Sequence, residues 1–356
     1  MGVLVAQAGR FVRAGRLLTR VTIPEPEANG RSEDTVNTVI GSVQTDLTRR
    51  RALTLVASGA TALASFPALV RAERASVRIA ASPAATQAEA YYAEQLGIFK
   101  QAGISTTLST ASRGAETLAG IARGDIDVAH ATPQGIANAV IHNIPLKIFA
   151  AGAIYVEPAA VGLYVTKDSP MKGAADLVNA TIAVNSLNDS QSLGVWAWMS
   201  DNHVDPTTVK IIEIPFSSMA AALKRKTVVA CCLVEPYATE AKDDIRVVPG
   251  VYASLGHHWA LGVWYARADY VRNNSTLIKQ LTAALYTTGK RVNANAASVE
   301  QLLVTHSKLE LATVRSIIKP VWAEKWERSN IEPQLQMAAK FKLISRPVPY
   351  EEVAAV

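Results

Sequence analysis

From residue 76 to residue 266, short apolar runs alternate with longer amphipathic stretches, and no other feature of the chain constrains its fold as strongly. Strands followed by helices, repeated, specify an α/β architecture with mostly parallel sheets. The first series reads as strand 76–80, helix 87–96, strand 108–110, helix 114–123, strand 126–129, helix 134–142 and strand 146–150. Gly124 closes the second helix, 114–123, from the left-handed position that favours glycine. An extended stretch, 160–166, follows. The second series reads as strand 181–184, helix 191–202, strand 209–214, helix 218–226, strand 228–234, short helix 236–242 and strand 245–248, before an extended stretch at 261–266. After that the pattern is helical to the end, at 274–293, 298–306, 311–318 and 332–341. Two series joined by two extended crossings predict two lobes, one of residues 73–162 and 266–356, the other of residues 163–265.

Ahead of this body, Thr48-Arg49-Arg50-Arg51-Ala52-Leu53 opens a mild apolar run over 52–70, rich in Ala, Gly, Ser and Thr. Paired arginines before a weakly hydrophobic segment resemble a bacterial twin-arginine export signal. Val70 and Ala72 suit the −3 and −1 sites of a signal peptidase. The expectation is a signal over 47–72, cleavage after Ala72, and a mature chain in the periplasm. The run is long enough to span a bilayer, but Gly59 and Pro67 interrupt it, which favours a signal over an anchor. No Cys stands after the cleavage site to take a lipid. Residues 1–46 carry Arg10, Arg13, Arg16 and Arg20, then the polar Ile23-Pro24-Glu25-Pro26-Glu27, with no globular pattern. They are expected to be either a mis-assigned start, the true one lying near 43–47, or a disordered leader.

The chain has 36 Lys+Arg against 30 Asp+Glu. Residues 1–72 hold nine of the arginines and five of the acids, so the body is close to neutral. With no basic run left in it, nucleic acid is excluded as a partner. The only cysteines, Cys231 and Cys232, are adjacent and give no disulfide framework. They sit in Val228-Val229-Ala230-Cys231-Cys232-Leu233-Val234, a continuous apolar run that reads as a buried strand with the thiols packed as small hydrophobes.

Four segments carry a family resemblance. They are Gly97-Ile98-Phe99-Lys100-Gln101-Ala102-Gly103-Ile104, then Ile121-Ala122-Arg123-Gly124-Asp125-Ile126-Asp127-Val128-Ala129, then Val165-Thr166-Lys167-Asp168-Ser169-Pro170-Met171-Lys172-Gly173-Ala174-Ala175-Asp176-Leu177, and the stretch from Ile182-Ala183-Val184-Asn185 to Glu235-Pro236-Tyr237. In this order and spacing they resemble the solute-binding proteins of ABC importers for nitrate, sulfonates, taurine and related compounds. That family includes thiamine-pyrimidine-precursor proteins. The resemblance covers about residues 76–300. It implies a type II periplasmic-binding-protein fold, in which two α/β lobes close on a solute about two hinge strands, here expected at 161–166 and 261–266. It further implies permease and ATPase partners, a monomer, and no catalysis, cofactor or metal. One departure stands out: the family often carries "G-x-hydrophobic-D-A" before the last strand of the second lobe. Here Lys226-Thr227-Val228-Val229-Ala230 lacks both the Gly and the Asp, so that turn must be built differently.

In α/β sheets, ligands sit beyond the carboxyl ends of the strands, where loops lead into helix N-termini whose amides attract anions and polar heads. This selects Ser82, Thr86 and Gln87 after the first strand, Ser112, Arg113 and Gly114 after the second, and His130 and Thr132 after the third. In the second lobe it selects Asn185, Asn188 and Ser190, then Glu235 and Tyr237, with His258 ahead of the return crossing. Arg113 could pair an anionic head bidentately, Glu235 could accept from a ligand N–H or O–H, and Tyr237 could stack. Ser112 and Ser190 could equally cap helices. Such a set suits sulfonates, aromatic carboxylates or pyrimidines better than nitrate. Two other functions stay open. A ligand-binding sensor for a membrane signalling partner would carry the same body. Yeast-type thiamine pyrimidine synthases look similar in fold, but they use pyridoxal phosphate and iron and carry a cysteine-rich run, against which this chain sets only Cys231-Cys232.

Overall fold

The computed structural model describes residues 75–111, 114–307 and 309–355. The expected leader and export signal, residues 1–46 and 47–72, lie outside the described residues, as do Ser112 and Arg113. Thirteen strands are present among the described residues. They are Ala75–Ala81 (β1), Ile104–Thr110 (β2), Val128–Ala131 (β3), Leu146–Ala151 (β4), Ala153–Tyr155 (β5), Val161–Thr166 (β6), Thr181–Val184 (β7), Lys210–Glu213 (β8), Ala230–Val234 (β9), Ile245–Val248 (β10), Trp259–Ala260 (β11), Val263–Arg267 (β12) and Val321–Trp322 (β13).

They form two five-stranded sheets, β2-β1-β3-β12-β4 and β10-β6-β9-β7-β8, and a three-stranded ribbon, β11-β5-β13. The two large sheets share one plan. Each has four strands running one way and a single reversed strand beside the last, β12 in the first sheet and β6 in the second. The expectation of mostly parallel sheets therefore holds for strand direction but not for pairing, since β12 and β6 are antiparallel to both neighbours. These reversed strands are the extended crossings of the sequence. The expected hinge stretches 161–166 and 261–266 correspond to β6 and, from Val263 on, to β12, and both strands are paired within the sheets. A lobe boundary at 163 or 265 cuts a strand in each case. The connections between lobes are the segments flanking β5 and β11, and these two strands pair with each other.

The helices stand where periodicity places them. Gly114–Arg123 ends at Gly124, whose φ of 78° no β-branched residue would tolerate. Helix Pro133–Ile141 begins with Pro at its first position and Thr132 as cap, and helix Ser190–Asp201 is capped by Asp189. The segment expected as one helix over 87–96 is a 3₁₀ turn, Ala85–Gln87, and helix Glu89–Gln95. The turn lacking the family glycine places Lys226 at φ 57°, so a lysine takes the left-handed conformation, and Val229, at the Asp position, is 47% exposed. β9 is buried along its whole length, with Cys231 and Cys232 at 0% exposure.

After helix Ser275–Ala294 the tail is not wholly helical. Residues 321–322 form β13, which joins the ribbon of the two connections. Trp322 is pinned there by Asn293, whose Nδ2 donates to the Trp322 carbonyl and whose Oδ1 accepts from the Trp322 N–H, both at 2.9 Å. Helix Glu332–Lys340 then packs on both Pro133–Ile141 and Ser190–Asp201, one from each lobe. Among the described residues, no helix is long and apolar enough to cross a membrane.

Candidate functional site

Because both sheets point the carboxyl ends of β1, β3, β7 and β9 towards the junction of the lobes, their outgoing loops meet there and wall a cavity. It leaves about 80 Å³ for the centres of water-sized solutes. One water takes roughly 10–15 Å³ on that measure, so a small solute or several waters fit. The lobes touch around it. The Ala85 N–H of the first lobe donates to the Glu235 carbonyl of the second at 2.8 Å. A Cβ added to Gly114 would lie 2.6 Å from Ser186 Oγ, so glycine is what lets these loops meet.

Of the residues selected from sequence, Ser82, Thr86, Gln87, Gly114, His130 and Thr132 stand on the first-lobe wall, and Asn185 and Ser190 on the second. Several are engaged locally as well. Ser82 Oγ accepts from Ala84 N–H at 3.2 Å, and Thr132 Oγ1 accepts from Gly135 N–H at 3.2 Å as a helix cap. The Ser190 hydroxyl lies 2.8 Å from Gln134 Oε1 and 3.2 Å from Gln334 Oε1, so its proton is given across the lobes.

Four expected residues are not on the wall. Asn188 is in the left-handed conformation, φ 58°, and shapes the loop that carries its neighbours. The Glu235 side chain turns away to accept from Thr239 N–H at 3.2 Å, and only its carbonyl serves closure. Burial raises its carboxyl above the ordinary range. Tyr237 stacks on Phe216 with ring centroids 5.7 Å apart, so Phe216 faces the cavity and Tyr237 backs it. His258 is not among the residues that line the cavity.

The wall also holds residues that were not selected: Thr117, Ser186, Asp189, Gln191, Phe216, Tyr252, Trp259 and Leu261. Asp189 was legible, since an Asp directly before an apolar helical run is a cap signal at a strand's carboxyl end. Tyr252 and Trp259 come from the connection between lobes, where no periodicity marks them.

Two titratable groups dominate the electrostatics. His130 is pushed down to about 4 by burial, so its imidazole is neutral. Its Nε2 has no hydrogen-bond partner, and its ring meets Trp264 edge-on at 5.2 Å. Asp189 is pushed up to about 7 by burial, against the opposing bonds from the Ser192 N–H and hydroxyl at 2.8 and 3.0 Å. Trp259 Nε1 is likewise buried without a partner, and its ring stacks on Tyr155 at 4.9 Å. Among the described residues the wall carries no lysine or arginine, and no group of three His, Cys, Asp or Glu is close enough to hold a metal. Among the described residues, the arrangement offers hydrogen-bonding groups, one of them a carboxyl that changes charge near pH 7, and aromatic faces to a solute enclosed from both sides.

The model of the NMT1-like family matches residues 71–304. A comparison with curated protein sequences finds no match. Among solved structures, the alkanesulfonate-binding protein SsuA from Xanthomonas axonopodis pv. citri, bound to MOPS, superposes with a TM-score of 0.64 at 18% identity, over 79% of this chain and 96% of that one. The periplasmic nitrate-binding protein NrtA from Synechocystis PCC 6803 gives 0.60 at 13% identity, over 79% and 84%. The desulfurization enzyme DSZB gives 0.57 at 16% identity, over 79% and 96%. At these identities the likeness is one of fold: two α/β lobes about a cleft, as in periplasmic binding proteins.

Proposed function

The chain belongs to the NMT1-like family, and on that premise we propose that it is the substrate-binding component of an ABC importer, capturing a small organic solute between its lobes outside the cytoplasm. The observation that carries this is the cavity closed from both sides, with Ala85 bonded to Glu235 and Gly114 against Ser186. A solute touching both walls favours the closed arrangement over an open one, which is the state a membrane permease and its ATPase would read. Neighbours of the same fold bind alkanesulfonate and nitrate. Here Phe216 and Trp259 offer apolar faces, while Ser82, Thr86, Gln87, His130, Thr132 and Asn185 offer polar ones. This supports a sulfonate, aromatic acid or pyrimidine-like solute with a flat body and a polar head. The chain acts as a monomer and reaches the periplasm by the twin-arginine route.

DSZB shows that the fold also hosts an enzyme. Cysteine chemistry at the cavity is disfavoured, because both thiols are buried in β9 and absent from the cavity wall, and burial raises both above the ordinary thiol range. A thermal-shift screen of the purified protein against sulfonates, aromatic acids, aminopyrimidines, nitrate and amino acids tests the proposal. A solute that binds only the folded state raises the melting temperature with concentration. One responding class is expected, and silence across all five refutes capture of such solutes.

A further inference from the structure

The cavity is closed by more than the residues that line it. Gln334, on the C-terminal helix Glu332–Lys340, is 1% exposed and reaches three parts of the molecule. Its Nε2 donates to the Ala260 carbonyl of β11 at 3.1 Å and to the Asn330 carbonyl at 2.8 Å. Two carbonyls on one side fix the amide's orientation, so Oε1 must face the other way. There it accepts from Gln134 Nε2 of the first lobe at 2.8 Å and stands 3.2 Å from Ser190 Oγ of the second. Ser190 in turn lies 2.8 Å from Gln134 Oε1. Gln134 and Ser190 are 0% and 2% exposed.

We propose that Gln334 is a positioning residue that holds the solute cavity in its closed geometry from outside the cavity, by tying both lobes and their connection into one amide–hydroxyl network. This rests on the reading that the lobes open and close around a solute. Its helix lies beyond the residues 71–304 that the family model matches. Gln134 and Ser190 belong to different lobes, so opening parts them and admits water to each. The network is therefore complete and dry only in the closed state. A methionine at 334 keeps the volume but removes the acceptor of Gln134 Nε2. The unmet donor then penalises the closed state alone, since water satisfies it in the open one. The open-to-closed ratio should rise roughly tenfold, and the apparent affinity for a solute should fall by the same factor where the closed state is the competent one.

The test places spin labels at Lys100→Cys and Lys210→Cys, one on each lobe and both exposed, while Cys231 and Cys232 stay buried. Pulsed electron resonance then gives the interlobe distance distribution of the full chain without added solute. Three backgrounds are compared: unaltered, Gln334→Met, and Gly114→Leu, whose side chain would collide with Ser186 and wedge the lobes apart. The expected result is a shift to longer distance in both variants. If Gly114→Leu opens and Gln334→Met matches the unaltered protein, the role of Gln334 is refuted while lobe motion stands. If the unaltered protein already shows the long distance of Gly114→Leu, the network does not hold the closed state and the role of Gln334 is refuted; if it shows the short distance and neither variant lengthens it, lobe motion is refuted and the role of Gln334 with it. Should Gln334→Met fail to melt cooperatively, Ser190→Ala probes the same network from the second lobe: a smaller shift in the same direction supports the role, and an unchanged distribution overturns it.

Discussion

The backbone of Gly262 runs so close to the His130 imidazole that an added Cβ would lie 2.0 Å from Cε1. Gly152 approaches the same ring, its added Cβ falling 3.0 Å from Nε2. The histidine thus stands at the cavity wall because two backbones from the lobe connections leave it room. Gly262→Ala forces the ring to move, and overpacking of this kind costs about 1–3 kcal/mol. Urea unfolding of Gly262→Ala should show that loss. His130→Ala in the same chain should recover most of it, a coupling between the two substitutions that additive effects would not produce.

Asp189 sets a pH dependence whose sign follows from its environment. Its ordinary value of 3.8 is raised to about 7, so the folded chain holds this proton more tightly than the unfolded one. The resulting stability is fully present below pH of about 4 and is lost as pH rises through about 7. His130 acts oppositely: lowered from 6.5 to about 4, it contributes stability above 6.5 that is lost as pH falls through 4. Asp189→Asn keeps the helix cap and removes only the first effect. The stability of Asp189→Asn relative to the unaltered chain should therefore grow by up to about 1.4 kcal/mol per pH unit between pH 4 and 7. Melting curves of both proteins at pH 4.5, 6 and 8 check this, and a difference that does not change with pH refutes it.

Asn293 holds the C-terminal strap by both atoms of its amide. Asn293→Ala leaves the Trp322 N–H and carbonyl without those partners and should cost about 1–2 kcal/mol. Limited proteolysis should then cut the segment between 305 and 320 faster than in the unaltered protein, with the body of the chain still resistant.

The thiols of Cys231 and Cys232 are buried and raised by burial, so neither is available as the reactive thiolate. A thiol reagent should label the native protein not at all during the time in which it labels the denatured chain twice. Rapid native labelling would mean that β9 is exposed by opening.

The alternation of apolar runs was enough to place almost every large-sheet strand and to predict two α/β lobes, because buried parallel strands leave continuous apolar signatures. Residues 181–184 and 245–248 were located to the residue. What escaped was set by pairing rather than by composition. β5, β11 and β13 are two or three residues long, too short for any periodicity, and exist only because distant segments meet. The antiparallel placement of β6 and β12 is invisible for the same reason. At the site, the loops beyond the strands were legible from their position, and eight of the chosen residues stand on the cavity wall. Side-chain direction was not legible. Glu235 follows a buried strand as expected, yet it bonds to Thr239 and turns its carbonyl, not its carboxyl, towards the other lobe. Gln334 carried no local signal, since its partners lie 144 and 200 positions away.

The reversed strands impose an order of assembly. All five strands of the second sheet, β6 to β10, are contiguous between residues 161 and 248. The first sheet needs β12 between β3 and β4, yet β12 is made only after the strands of the second sheet. During synthesis from the N-terminus the second lobe can fold as soon as it emerges. The first must wait with the facing edges of β3 and β4 unpaired, and an unpaired edge invites mispairing. A chain stalled before residue 263 would therefore carry one finished lobe and one open template, which makes the arrival of five residues, Val263–Arg267, the step that turns the nascent protein from a sticky intermediate into a closed one.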